Sequence, residues 1–239
     1  DDDDGEEDEE DEEDEAVAEL EDDAAVESAV YSSAAPTRDQ LQRKQQGQSS
    51  RAQPPAEAKE ATNTTATTSA NNNDGSINNP FSSMQFAYDR ANENDTILVH
   101  PGTYNDDIWL NGKNVVLGSL FLSTGDTSFI SSTIIDGDST DCNIAIYGNI
   151  DSTCRVTGFT IQNGIGCVYG QGAGIYVESA SPRLDNLIIK NNIGGTNGGG
   201  ICLNGNSNSF IDKVVIQNNS ADTGGGLYIS NSNPVITNS

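Results

Sequence analysis

The sequence predicts an all-β chain: a right-handed parallel β-helix (solenoid) over residues 76–239, with a short N-terminal capping helix, preceded by a disordered acidic segment over residues 1–75. Three observations lead there. Short β-rich runs alternate with clusters of Gly, Asn and Asp along the second part of the chain. The runs repeat, since Gly174-Ile-Tyr-Val177, Gly200-Ile-Cys-Leu203 and Gly226-Leu-Tyr-Ile229 are spaced by 26 and 26 residues. Strands this short cannot bury a face alone, whereas stacked coils hydrogen-bond each strand to its equivalents at about 4.8 Å and enclose a continuous core.

The first segment carries no such pattern. Of the formal net charge of −26, most lies between Asp1 and Glu27, where there are 19 acidic residues and no basic one. The remaining 18 acids face 11 Lys and Arg, a net of −7. Like charges at that density repel, and too little apolar surface accompanies them to offset chain entropy, so the tail is expected to be disordered. Two weakly helical stretches follow at about 16–30 and 38–46, then a Thr/Asn/Ala/Ser tether from Ala61 to Asp74. Triplets that fit N-glycosylation start at Asn63, Asn94 and Asn218, and such triplets arise easily in a chain this rich in Asn and Thr.

From Ser76 each element has its own signal. Phe81, Met84, Tyr88 and Ala91 recur at helical spacing and predict a short helix with one apolar face. Residues 95–104 read as a strand ended by a Pro-Gly turn, and 107–110 and 114–117 read as the next two strands. A second repeated motif, Leu184-Asp-Asn-Leu-Ile-Ile-Lys-Asn-Asn192, returns at Ile211–Asn219 and has an earlier copy at Val156–Gly164, with offsets of 27 and 28. The drift confines insertions to turns. Alternation places Ile175, Val177, Ile201, Leu203, Leu227 and Ile229 inside, with Leu184, Leu187, Ile189, Ile211, Val214 and Ile216. Asn163, Asn191 and Asn218 suit a left-handed turn, and stacked Asn side chains there are expected to form a hydrogen-bonded ladder.

Composition excludes several functions. An acidic balance argues against nucleic acid, which needs a cationic face. No stretch of 18 apolar residues exists, so no transmembrane helix is expected. The Gly triplets at 198–200 and 224–226 lack the strand–GxGxxG–helix context of a nucleotide site. Cys142, Cys154, Cys167 and Cys202 lack CxxC spacing, and His100 is the only histidine, so zinc is not indicated. An even cysteine count fits two disulfides and an oxidising compartment, with Cys142–Cys154 the preferred pair because it would staple one loop.

These residues resemble the right-handed parallel β-helix repeat proteins of the pectin-lyase-like superfamily. The entry segment Asp95–Tyr104 followed by Asn111–Gly118 looks like their opening coil. Gly-Gly-Gly-Ile with Ser-x-Ser-Pro-x-Leu (Ser179 to Leu184) is similar to repeats of polymorphic outer-membrane-protein-like adhesins of bacteria. The resemblance covers about residues 76–239. It implies that the Phe81–Ala91 helix caps the solenoid and that a C-terminal cap follows. The chain stops at Ser239 where earlier coils run on, so further coils are expected beyond it. The superfamily includes polysaccharide lyases, glycoside hydrolases, epimerases and adhesins, so the scaffold does not decide the task.

Candidate sites follow from the surface positions. Asp136, Asp138 and Asp141 are the candidate calcium ligands, although the fold requires no cofactor, and their plainer role is turn formation. Arg155, Arg183, Lys190 and Lys213 are the cations able to neutralise a uronate. Glu178 shares a position with Asn204 and Ser230, and Asp185 with Asp212. Tyr176, Cys202 and Tyr228 occupy one outward register, beside a polar column of Gln162, Lys190 and Gln217. Tyr176, Tyr228 and Lys190 are therefore the candidate carbohydrate contacts. The expected function is a secreted or cell-surface module for adhesion or carbohydrate binding, with a polysaccharide or surface glycan as partner. A lyase or glycoside hydrolase is the alternative, a purely structural solenoid the third, and oligomeric state is left open.

Overall fold

Hydrophobic alternation decides which side of each short strand faces inward, and the repeat decides what lies above and below it. A computed structural model of the protein describes residues 59–61, 73–139 and 141–239. The acidic run, the two weak helices and the Asn63 triplet lie outside the described residues. Within them the chain is an all-β parallel solenoid of about five turns.

The strands, numbered in chain order, stack in three columns. One column holds β1 (Lys59–Ala61), β2 (Thr96–Val99), β5 (Val116–Ser119), β8 (Arg155–Thr157), the first halves of β11 (Arg183–Lys190) and β13 (Phe210–Gln217), and β15 (Val235–Thr237). The next holds β3 (Gly102–Tyr104), β6 (Thr133–Asp136), β9 (Thr160–Gln162) and the second halves of β11 and β13. A separate five-stranded sheet forms the front: β4 (Ile108–Asn111), β7 (Ile144–Tyr147), β10 (Ile175–Glu178), β12 (Ile201–Asn204) and β14 (Leu227–Ser230). Every strand pair is parallel, and the predicted register holds. Ile175 pairs with Ile201 and Ile201 with Leu227, while Leu184 pairs with both Val156 and Ile211.

The predicted interior positions Ile175, Val177, Leu184, Leu187, Ile189, Ile201, Leu203, Ile211 and Val214 are all buried. Leu227 and Ile216 pack against that core from half-buried positions, and Ile229 in the last front strand is 42% exposed. Helix α1 (Met84–Arg90) starts at Ser83, whose hydroxyl accepts from the Phe86 N–H. Phe81, Met84, Ala87, Tyr88 and Ala91 join the same core, so the helix closes its near end as expected.

Four features depart from the sequence reading. The strand expected over 95–104 is two, β2 and β3, because His100-Pro101 turns a corner instead of ending a coil; the Tyr104 hydroxyl donates to the His100 carbonyl at 2.9 Å across it. Lys59–Ala61, in the segment read as structureless, pairs with Ile97–Val99 as a strand. Residues after Ser119 make an excursion through α2 (Phe121–Thr124) and α3 (Ser128–Ser132) before rejoining the coil at β6. The excursion lies over the sheet: the Thr160 hydroxyl donates to the Ile130 carbonyl at 2.9 Å, and a Cβ at Gly158 would lie 2.3 Å from the Ser119 hydroxyl oxygen.

The fourth concerns the asparagines. Asn163, Asn191 and Asn218 do adopt left-handed backbone, with φ of 57°, 56° and 55°. The ladder, however, runs through the residue after each. The Asn192 side-chain oxygen accepts from Asn143 Nδ2 at 3.0 Å and from the Gly164 N–H at 2.9 Å. Its amide donates to Asn219 Oδ1 at 2.9 Å and to the Ile161 carbonyl at 3.2 Å. Left-handed residues point their side chains away from the core, so the following residue turns inward and takes over the bonding. Gly164 holds the equivalent place one coil earlier, and a Cβ there would lie 2.4 Å from the Asn143 amide that fills the space.

Candidate functional site

The front sheet presents two outward rows. Register places Trp109, Ala145, Tyr176, Cys202 and Tyr228 in one, and Asn111, Tyr147, Glu178, Asn204 and Ser230 in the other. Ala145 is the small residue between two large ones, and the Tyr147 ring leans across the space above it. There it stacks on Trp109, with ring centroids 5.7 Å apart and planes 17° apart, and meets Tyr176 at 5.6 Å in a tilted contact. Ala145 is fully buried as a result.

Trp109 and Tyr147 are both partly buried. Tyr176 is only 2% exposed, so its ring forms the base of the group instead of a contact face. Its hydroxyl bonds to the side chains of Asn204 and Glu178, and burial is the first reason its pKa lies above the usual tyrosine value. The Tyr147 hydroxyl is buried with no hydrogen-bond partner. Burial again raises its pKa, reinforced by the charges of Tyr176, Glu178 and Asp141. Asp107, just before β4, is raised by burial, then by Asp141 and Asp106. Burial also raises Asp141, although the Cys142 N–H donates to its carboxylate at 2.8 Å. The Asp141 charge thus bears on both Asp107 and Tyr147.

The other candidates fall elsewhere. Lys190 does pair with Gln162 and Gln217, but in the other sheet, so it does not share a column with Tyr176 and Tyr228. Tyr228 is half-buried in the last front strand. Asp136 takes side-chain amides from Gln162 at 2.8 Å and Asn163 at 2.9 Å. Among the described residues, the group of metal-ligating side chains that lies close together is Asp141 with Cys142 and Cys167, not Asp136, Asp138 and Asp141. Its two cysteines are joined as a disulfide, which leaves one ligand.

That disulfide corrects the expected pairing. Cys142 bonds Cys167, 25 residues away, and Cys154 and Cys202 are free and buried. In a solenoid the neighbour in space lies one coil along the chain, so a spacing near the repeat length brings two turns together, here with Cα atoms 4.8 Å apart. Twelve residues carry Cys154 to a different corner of the same coil. Burial pushes its thiol up to about 11 and that of Cys202 up to about 12.

Asp185 gathers two of the cation candidates. Arg155 donates to both carboxylate oxygens, Nε at 2.6 Å and Nη2 at 2.7 Å, and Arg183 Nε donates at 2.9 Å. Thr157 and Asn186 add bonds of 2.9 and 2.6 Å. Burial opposes ionisation, yet the arginine bonds outweigh it and hold the carboxyl at about 2. Asp212, one coil on, is bonded instead by Thr237 at 2.7 Å and Asn238 at 2.8 Å. These carboxylates are occupied, and neither is poised to take a proton. Lys213, the last cation candidate, adopts left-handed backbone at the corner that Gly158 and Asn186 form in other coils.

No family model matches the chain, and no curated protein or solved structure matches it either. Among the described residues no helix is long and apolar enough to cross a membrane.

Proposed function

We propose that this chain is a β-helix module, secreted or displayed at a cell surface, that binds carbohydrate on its front sheet and thereby serves adhesion. The observation that carries the reading is the Trp109–Tyr147 stack, a partly exposed aromatic pair held side by side on the front sheet. Sugar rings present C–H faces that pack on aromatic faces. A strand-borne platform is held by its neighbours above and below, so little order is lost on binding. The Cys142–Cys167 disulfide fits an oxidising compartment. The resemblance of the repeats to pectin-lyase-like and adhesin β-helices points the same way, and the reading needs no bound ion.

Trp109 is the only tryptophan in the chain, so its emission reports directly on the platform. Titration with neutral xylan, glucan, mannan and galactan oligomers is expected to give a saturable change for at least one. Tyr147→Ala should weaken that binding by about tenfold, the loss of one aromatic contact. A flat titration across the panel, or binding indifferent to Tyr147→Ala, would overturn the proposal.

A further inference from the structure

Cys202 occupies the outward row of the front sheet, between Tyr176 and Tyr228 in register, yet it is fully buried. An outward side chain becomes buried when another part of the chain lies over it. Gln171 lies there, and its side-chain oxygen accepts from the Cys202 thiol at 3.6 Å. The cover belongs to the loop that carries Cys167. Ten residues separate Gly164 from Ile175, against eight between Asn192 and Ile201 and seven between Asn219 and Leu227 at the equivalent corners. The added length folds as a turn, closed by the Cys167 N–H on the Gln171 carbonyl at 2.8 Å. Within it Tyr169 takes left-handed backbone at φ 55°, which a bulky side chain enters at a cost, and the residue is 54% exposed.

Such a loop has to be held in place. Toward the preceding coil the Ile165 N–H donates to the Asp141 carbonyl at 2.9 Å, and the Cys142–Cys167 disulfide adds a covalent tie. Toward the following coil Tyr169, Gly170 and Gly172 bond to Thr196 and Asn197, the first of these two exposed and the second partly so. All of these contacts join corner to corner, outside the strands. We propose that the Cys142–Cys167 disulfide is a redox-operated latch: closed, it holds the loop over 165–172 against the front sheet, and reduced, it lets the loop lift and present the Cys202 thiol. Cys167 is partly exposed whereas Cys142 is buried, so a dithiol reductant attacks the Cys167 sulfur. The S–S bond breaks, and Cys142 leaves as a thiolate and takes up a proton. The second thiol of the reductant then displaces Cys167 as a thiol, and the reductant departs as its own disulfide, having supplied both electrons. With the tie gone, the cost at Tyr169 favours local opening. The latch is independent of what the aromatic platform binds.

Cys154 supplies an internal control, because it is buried in the hydrophobic core between the sheets and has no part in the loop. The test treats the full chain with dithiothreitol under native conditions, removes the reductant, labels with N-ethylmaleimide and reads each cysteine by peptide mass. Cys142 and Cys167 should be labelled, Cys202 should react at least about tenfold faster than in the oxidised chain, and Cys154 should stay protected. Re-oxidation should restore the protection of Cys202. The double variant Cys142→Ser with Cys167→Ser should expose Cys202 with no reductant at all; should that variant fail to fold, the reduced parent chain decides. Cys202 labelled no faster after reduction would overturn the latch. Cys154 labelled in step with Cys202 would overturn it too, since the disulfide would then be a staple of the whole fold.

Discussion

The Asp185 corner and the Trp109–Tyr147 platform are both outward clusters of polar or aromatic groups on a solenoid, and they end differently. At Asp185 both carboxylate oxygens are bonded, by two arginines, a threonine and an asparagine, and the residue is fully buried. At the platform Trp109 and Tyr147 are partly exposed, the Tyr147 hydroxyl has no partner, and Asp107 is acted on by the like charges of Asp141 and Asp106. A cluster that satisfies itself contributes to the fold. One that leaves a buried donor unpaired and like charges adjacent costs stability instead.

The difference can be sharpened by breaking each kind of site. The largest loss is expected where satisfaction is most complete. Asn192→Ala removes the middle rung of the interior ladder, strands the Gly164 N–H and leaves the Asn143 amide only a 3.5 Å contact to the Ala173 carbonyl, while Asn219 keeps the Asn192 N–H and the Ile189 carbonyl; a destabilisation of about 3–5 kcal/mol by denaturant midpoint is expected. Asp185→Ala comes next, at about 2–3 kcal/mol, because the freed guanidiniums are partly exposed and regain water. That contribution has a pH signature. A carboxyl held at about 2 in the folded chain stabilises it above the ordinary aspartate value near 4, and the stabilisation fades as pH falls through 2. Melting temperatures of the parent and Asp185→Asn should therefore differ at neutral pH and converge between about pH 4 and 2. The smallest change belongs to the platform: Trp109→Ala should cost about 1–2 kcal/mol, since Trp109 is partly exposed and loses chiefly its packing on Tyr147. A platform loss as large as that at Asp185 would mean the rings are structural, and the contrast between the two clusters would fail.

The later coils were legible because their spacing is regular. From Ile175 to Ile201 and from Ile201 to Leu227 the step is 26 residues, and the inward residues follow directly. Between Ile108 and Ile144 the step is 36, and between Ile144 and Ile175 it is 31, because the α2–α3 excursion and the Cys167 loop intervene. Periodicity alone does not align those coils, so it does not bring Trp109 and Tyr147 beside Tyr176. They also occupy different rows, and only the small Ala145 between them lets the rings meet. An Ala flanked by large outward residues in adjacent strands was the signal available. The disulfide follows the same spacing logic: 25 residues is nearly one repeat, and in a stacked chain that spacing means contact. The side-chain ladder was placed one residue early because left-handed turns reverse which neighbour faces the core.

The Cys142–Cys167 link also alters how the solenoid would respond to tension. It closes almost one whole coil into a covalent hoop, so a pull on the two ends of the chain bypasses that coil and is carried across the bond. Coils on either side can peel away strand by strand, while the 25-residue segment withholds about 85 Å of contour length that a reduced chain would release. The hoop includes β7, so the mechanically protected coil is the one that carries Tyr147.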